Sequence, residues 1–151
     1  MLSFRLYEKD DQPFFEKLIQ DSIAWQEEEC SVSDLASYMQ KYDMMNGQWT
    51  LWSKGEKPIG IAFTVDWAPS NEKPWIGTIL VDGRARRKGY GKQIVDQIAD
   101  RYKQEGHDVL FASVPLQRIE WMQFWAMCGF EQFKVEENNR NEPYMVMTRP
   151  L

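Results

Sequence analysis

Residues 79–98 read Ile-Leu-Val-Asp-Gly-Arg-Ala-Arg-Arg-Lys-Gly-Tyr-Gly-Lys-Gln-Ile-Val-Asp-Gln-Ile. An apolar strand, Ile79-Leu80-Val81, runs into a loop holding Arg84, Arg86, Arg87, Lys88, Gly89, Tyr90, Gly91 and Lys92. A helix then opens, with Ile94, Val95, Ile98 and Tyr102 on one face at helical spacing. Two glycines at a helix start let backbone N–H groups come close to a ligand. The helix dipole and five basic side chains make that ligand an anion, and phosphate fits best. The stretch reads as a seat for a phosphorylated cofactor.

Strand and helix signals extend in both directions from this loop. Residues 3–8 alternate as a short strand, and Asp10 or Asp11 caps a helix with Pro13 in its first turn and Phe14, Phe15, Leu18 and Ile19 on one side. A second helix starts at Ser31 or Ser33, buries Leu35, Tyr38, Met39 and Tyr42, and ends near Asn46-Gly47. Strands 48–53 and 58–67 form a hairpin. Strand 75–82 leads into the glycine loop and helix 90–105, which Gly106 stops. Strand 108–114, helix 117–128 and a hairpin of 130–135 with 144–148 complete the order. An α/β (α+β) fold follows: a mixed, mostly antiparallel seven-stranded sheet flanked by about four helices, built around one βαβ crossover.

A chain of 151 residues with 43% hydrophobic content reads as a single domain, residues 1–151, with one core. No apolar run reaches half of the ~20 residues that span a bilayer, and the first residues lack the apolar core of a secretory signal. Cys30 and Cys128 are isolated thiols without CxxC spacing, which suits a reducing cytoplasm. One His and two Cys argue against a zinc site, and no metal is expected. Net charge is −5, yet residues 84–92 carry +5, leaving −10 on the remainder. An acidic body with one compact basic patch fits a small anionic ligand rather than nucleic acid, and it would attract a cationic second substrate.

Arg86-Arg87-Lys88-Gly89-Tyr90-Gly91 reads Arg-x-x-Gly-x-Gly between a strand and a helix. It is neither a P-loop nor the Rossmann glycine pattern. In this context it resembles the acyl-CoA pyrophosphate loop of the GNAT superfamily of N-acetyltransferases. The apolar strand before it, the element order, and Phe124-Trp125-Ala126-Met127-Cys128-Gly129-Phe130 near the C-terminus resemble the same superfamily.

The resemblance implies that main-chain groups of Ile79, Leu80 and Val81 bracket the pantetheine arm. It also implies that Arg86, Arg87, Lys88, Gly89, Tyr90, Gly91 and Lys92 wrap the pyrophosphate. It implies a splayed central parallel pair, strands 75–82 and 108–114. Three positions depart from the family pattern, one of them Trp121, which stands at a position that is commonly small. Trp125 stands where many members carry a Tyr that protonates the leaving thiolate, and an indole N–H is no proton acid in water. Arg118 replaces an Asn common seven residues earlier, which suggests an Arg–phosphate contact.

An amine nucleophile must be neutral to attack. A Lys-like amine with a pKa near ~10.4 is then handicapped by roughly 4–5 kcal/mol at pH 7, so an alkylamine acceptor calls for a general base. Asp66 and Glu72, near the ends of strands, are candidates, with Glu120 behind them; each also reads as an exposed carboxylate. Tyr144 on the last strand is a candidate replacement acid, with core packing as the competing reading. His107 reads as a solvated turn residue. Glu27, Glu28, Glu29 and Asp34 read first as a solvated acidic face and second as a landing site for a cationic amine. Trp67 and Trp75 are candidates for pocket walls.

Two functions follow from the resemblance. The first is an N-acetyltransferase that passes an acetyl group from acetyl-CoA to a small amine or peptide amine by direct attack in a ternary complex. The second is a catalytically weak or inactive acyl-CoA-binding sensor of the same fold. No membrane or nucleic-acid partner is expected, and exposed sheet edges are compatible with a homodimer.

Overall fold

Runs rich in β-branched and aromatic residues form the strands of this protein, and a two-residue turn makes its tightest hairpin. A computed structural model describes residues 1–85 and 88–151. Arg86 and Arg87 lie outside the described residues. The strands are β1 (Ser3–Leu6), β2 (Gln48–Lys54), β3 (Lys57–Val65), β4 (Trp75–Val81), β5 (Val109–Pro115), β6 (Glu131–Glu137) and β7 (Pro143–Pro150). Their hydrogen-bonded order is β1-β2-β3-β4-β5-β7-β6. β4 and β5 are parallel, pairing Trp75 with Phe111 and Ile76 with Ala112, and the sheet is otherwise antiparallel.

The helices are α1 (Gln12–Gln20), α2 (Ile23–Glu28), α3 (Leu35–Asp43), α4 (Tyr90–Gln104) and α5 (Ile119–Met127), with 3₁₀ turns at Lys9–Asp11 and Val32–Asp34. Five helices stand where the sequence suggested about four. The addition is α2, six residues long and started by Ser22, whose hydroxyl accepts from the Trp25 amide at 3.3 Å.

The chain packs as two compact units, Met1–Val65 with Thr78–Ile94 and Asp66–Gly77 with Val95–Leu151. In the first, β2 and β3 meet at Gly55-Glu56, with Gly55 at φ +60, where a mirror-image hairpin turn needs glycine. One face of this hairpin carries Trp49 and Phe63, ring centroids 4.8 Å apart. α1 lays Phe15, Leu18 and Ile19 inward at i, i+3 and i+4, and Phe15 packs on Trp49. Burying each such side chain contributes roughly 1.5–3 kcal/mol before entropy is counted. Ahead of α1, Asp11 accepts both Arg5 guanidinium nitrogens at 2.7 and 2.8 Å and the Glu8 amide at 2.8 Å. The Arg5 bond holds the Asp11 carboxyl below its usual range.

Gly60 on β3 serves close packing. A Cβ there would stand 3.0 Å from the Leu80 carbonyl and 3.4 Å from Ile94 Cδ1, so glycine lets β4 and the first turns of α4 approach β3. In the second unit, β7 lies between β5 and β6. Arg149 on β7 donates to Asp96 on α4 at 2.7 Å and to the Cys128 carbonyl past the end of α5 at 2.9 Å.

Candidate active site

β4 ends in a turn that delivers the chain to the glycine loop. The Asp82 amide donates to the Ile59 carbonyl at 2.7 Å, its buried carboxylate accepts from the Arg84 amide at 3.0 Å, and its carbonyl accepts from Ala85 at 2.9 Å. Along β4, Ile76, Thr78 and Leu80 are buried, whereas Trp75, Gly77, Ile79 and Val81 keep part of their surface open. Ile79 and Val81 thus share a face that Leu80 does not.

Gly89 is the hinge between loop and helix. It sits at φ +77, a left-handed conformation that disfavours side chains, and a Cβ built on it meets nothing within 4 Å. Its carbonyl accepts the first α4 bond, from Gln93 at 3.1 Å. The Tyr90 and Gly91 amides precede that bond and face the helix N-terminus. Lys88 and Lys92 are exposed beside them. An open glycine, helix N-terminal amides and two lysines form a set of donors suited to a pyrophosphate, so the residues present fit a CoA nucleotide.

The other candidates make separate contacts. Asp66 is exposed, accepts from the Tyr102 hydroxyl at 2.7 Å and lies 3.9 Å from Arg101 Nη2. Glu72 is exposed at φ +61 in the turn where its amide bonds Ala68 at 2.7 Å. Tyr144 donates to Glu136 at 2.9 Å, and burial first, then that carboxylate, raise its phenol above the ordinary range. Glu120 is exposed in the first turn of α5. Arg118 precedes α5 with its guanidinium 5.7 Å from the Trp121 ring centroid.

Trp125 is buried, edge-on to Phe124 at 5.4 Å and to Phe130 at 4.9 Å. His107 follows Gly106 (φ +96) and sets its ring edge-on to Tyr102. Trp67 is exposed, and Trp75 stacks on Phe111 at 5.0 Å.

One residue of the acidic run departs from a solvated face. Glu29, at the end of α2, accepts from Tyr38 at 3.2 Å and Tyr42 at 3.3 Å, both hydroxyls reaching one oxygen, Oε2. Part of its surface stays open, but protein surrounds the carboxylate. Desolvation pushes its carboxyl up to about 7 against the opposing tyrosine bonds, and Glu28 adds to the rise. Glu27 is exposed, and Asp34 is exposed and accepts from Ser31 at 3.0 Å. The local signal for Glu29 is weak: three consecutive glutamates look alike until Tyr38 and Tyr42 fold over one.

Among the described residues no group of His, Cys, Asp and Glu is arranged to hold a metal ion, and no helix is long and apolar enough to cross a membrane.

Comparison with known proteins adds the family. The chain is 39% identical over 136 residues to the uncharacterized protein YkzC of Bacillus subtilis (strain 168), spanning 90% of this chain and 95% of that one. Its fold is similar to an acetyltransferase from Thermus thermophilus (TM-score 0.78, 17% identity, 100% of this chain and 97% of that one). It is also similar to a Bacillus subtilis acetyltransferase solved in complex with CoA (TM-score 0.72, 17% identity, 100% and 99% covered). The acetyltransferase (GNAT) family pattern matches residues 6–130. This chain belongs to the GNAT family of acetyltransferases.

Proposed function

We propose that this chain is an acetyl-CoA-dependent N-acetyltransferase that transfers the acetyl group to a primary amine by direct attack in a ternary complex. The observation that carries the reading is Gly89: left-handed, open, and placed at the N-terminus of α4 directly after β4. Lys88, Gly89, Tyr90, Gly91 and Lys92 hold the pyrophosphate, with Arg86 and Arg87 of the same motif, and Arg118 adds a phosphate contact. Main-chain groups of Ile79, Leu80 and Val81 run beside the pantetheine and polarise the thioester carbonyl, a contribution of the oxyanion-hole type. The whole chain acts as one catalytic domain, in the cytoplasm, where Cys30 and Cys128 stay reduced and outside any disulfide.

The thioester supplies an activated carbonyl carbon. The amine lone pair forms the C–N bond, the C–S bond breaks, and the sulfur leaves as thiolate, tolerable for a thiol with a pKa near ~8.5. Trp125 donates no proton and serves as an apolar wall. The reaction as written needs no metal and no protein nucleophile.

Differential thermal melting with acetyl-CoA and with CoA tests the reading. Ligand at a hundredfold over its Kd should add ~2.7 kcal/mol of stability. No shift with either at millimolar concentration rejects it. The buried Trp125 in place of a proton-donating Tyr favours one second reading, a CoA-binding sensor without turnover. CoA binding without thiol release across an amine panel selects that one.

A further inference from the structure

We propose that Glu29, Tyr38 and Tyr42 form the subsite for the acceptor amine, binding it as an alkylammonium ion through the unused carboxylate oxygen of Glu29, which then takes its proton. This rests on the acetyltransferase reading and names the acceptor class for it.

Both tyrosine hydroxyls bond Oε2, and Oε1 has no partner among the described residues. Buried carboxylates are ordinarily paired or hydrogen-bonded: Asp11 takes the Arg5 guanidinium, and Asp82 takes the Arg84 amide. Among the described residues neither Lys nor Arg pairs with Glu29. A cation from outside would complete it, and the open part of Glu29 and Tyr42 leaves a way in.

The surroundings suit an alkylammonium ion. Tyr38 and Tyr42 lie 4.7 Å apart by ring centroids, Trp25 is edge-on to Tyr38 at 5.5 Å, and Trp49 and Phe63 are 5.6 and 4.8 Å from Tyr42. Aromatic rings attract a cation by their quadrupole and pack the carbon chain behind it. Trp49 Nε1 is buried in the same cluster and has no hydrogen-bond partner among the described residues. Glu28 stands beside Glu29 and disfavours an amine that carries its own carboxylate.

The cluster is tied to the reaction strand. Trp25 Nε1 donates to the Thr78 hydroxyl at 2.9 Å, and Thr78 immediately precedes Ile79. The proton step balances. The ammonium passes one proton to Glu29, the neutral amine attacks the thioester carbon, and the second N–H proton goes to the departing thiolate. Glu29 returns its proton to water. A carboxylate titrating at about 7 is matched to such a transfer at neutral pH.

The test is tryptophan fluorescence titration with butylammonium chloride, with butanol as the neutral control, on the full chain with and without CoA. Butylammonium should bind at pH 8 and lose affinity as pH falls through about 7, where Glu29 protonates. Butanol should show no such dependence. The other titratable groups facing the carboxylate are Glu28 and Cys30 from its own segment and Tyr38 and Tyr42 from α3; β2 and β3 present the rings of Trp49 and Phe63. Burial raises the Cys30 thiol to about 11 and raises both phenols, so none of these three changes charge in the window.

Glu29→Gln should abolish butylammonium binding and its pH dependence while the CoA thermal shift stays. Tyr42→Phe, which keeps the ring and removes one bond to the ionised form, should move the midpoint upward. With butylamine as acceptor, Glu29→Gln should lower kcat/KM by ~10²–10⁴-fold. Equal binding by wild type and Glu29→Gln, pH-independent binding, or none at all overturns the subsite. A missing CoA shift instead overturns the acetyltransferase reading, so the two failures are distinct.

Discussion

The indole of Trp25 donates to the hydroxyl of Thr78 at 2.9 Å across 53 residues of sequence, joining α2 to β4 one position before Ile79. Both groups are buried, so removing one partner leaves the other unsatisfied. Trp25→Phe should lower stability by about 1–3 kcal/mol, read by urea unfolding, while Trp25→Phe with Thr78→Val should cost less than the two single changes added. Additive losses would show that the bond contributes nothing of its own.

Stability should fall with rising pH because of Glu29. Its carboxyl titrates near 4.5 when free and at about 7 in the fold. Between these values the folded state binds more protons than the unfolded one, so unfolding free energy declines with pH. The contribution is fully present below the lower value and lost above the higher, about 3 kcal/mol in all. Glu29→Gln should flatten this slope relative to wild type. Parallel urea curves for the two proteins across the window would contradict the burial of this carboxylate.

Gly89→Val should remove CoA binding with a modest effect on the fold. The left-handed φ of +77 strains a β-branched residue by on the order of 1–3 kcal/mol, and its Cβ would stand where phosphate must come close. Loss of the CoA-dependent thermal shift in a folded variant is the expected outcome; normal binding would place the pyrophosphate elsewhere.

Trp125→Phe should keep appreciable acetyl transfer, because it preserves most of the surface packed against Phe124 and Phe130. Trp125→Ala should cost ~3–5 kcal/mol of stability and raise the acceptor KM. Steady-state thiol release across pH separates these. A Trp125→Phe protein that binds both substrates and does not turn over would give the indole N–H a chemical role.

The fold was legible where local chemistry repeats. The α4 positions Ile94, Val95, Ile98 and Tyr102 are all buried, and Gly106, read as the stop of that helix, sits at φ +96 just past its end. α2 escaped because it buries only Trp25 in six residues, too few for a period to emerge. In the proposed site, the glycine loop could be singled out because the features of a phosphate seat are local: donors, dipole and glycine adjoin in sequence. Glu29 could not be read that way. Its environment comes from residues nine and thirteen positions later, and no local pattern separates it from Glu27 and Glu28. The roles of Asp66, Glu72 and Tyr144 were equally beyond local reading, because Tyr102, the Ala68 turn and Glu136 set their contacts.

The strand order β5-β7-β6 carries a consequence for assembly. β6 precedes β7 in sequence but reaches β5 only through it. During translation, then, Glu131–Glu137 emerges before β7, its one partner in the sheet, and displays Phe133 and Val135. Pro143–Pro150 pairs with both β5 and β6, and its arrival brings Arg149 to Asp96 and the Cys128 carbonyl. The sheet of this unit closes only when the last strand arrives, and until then a nascent chain presents the unpaired edge of β5 and an unpaired β6 to any neighbour.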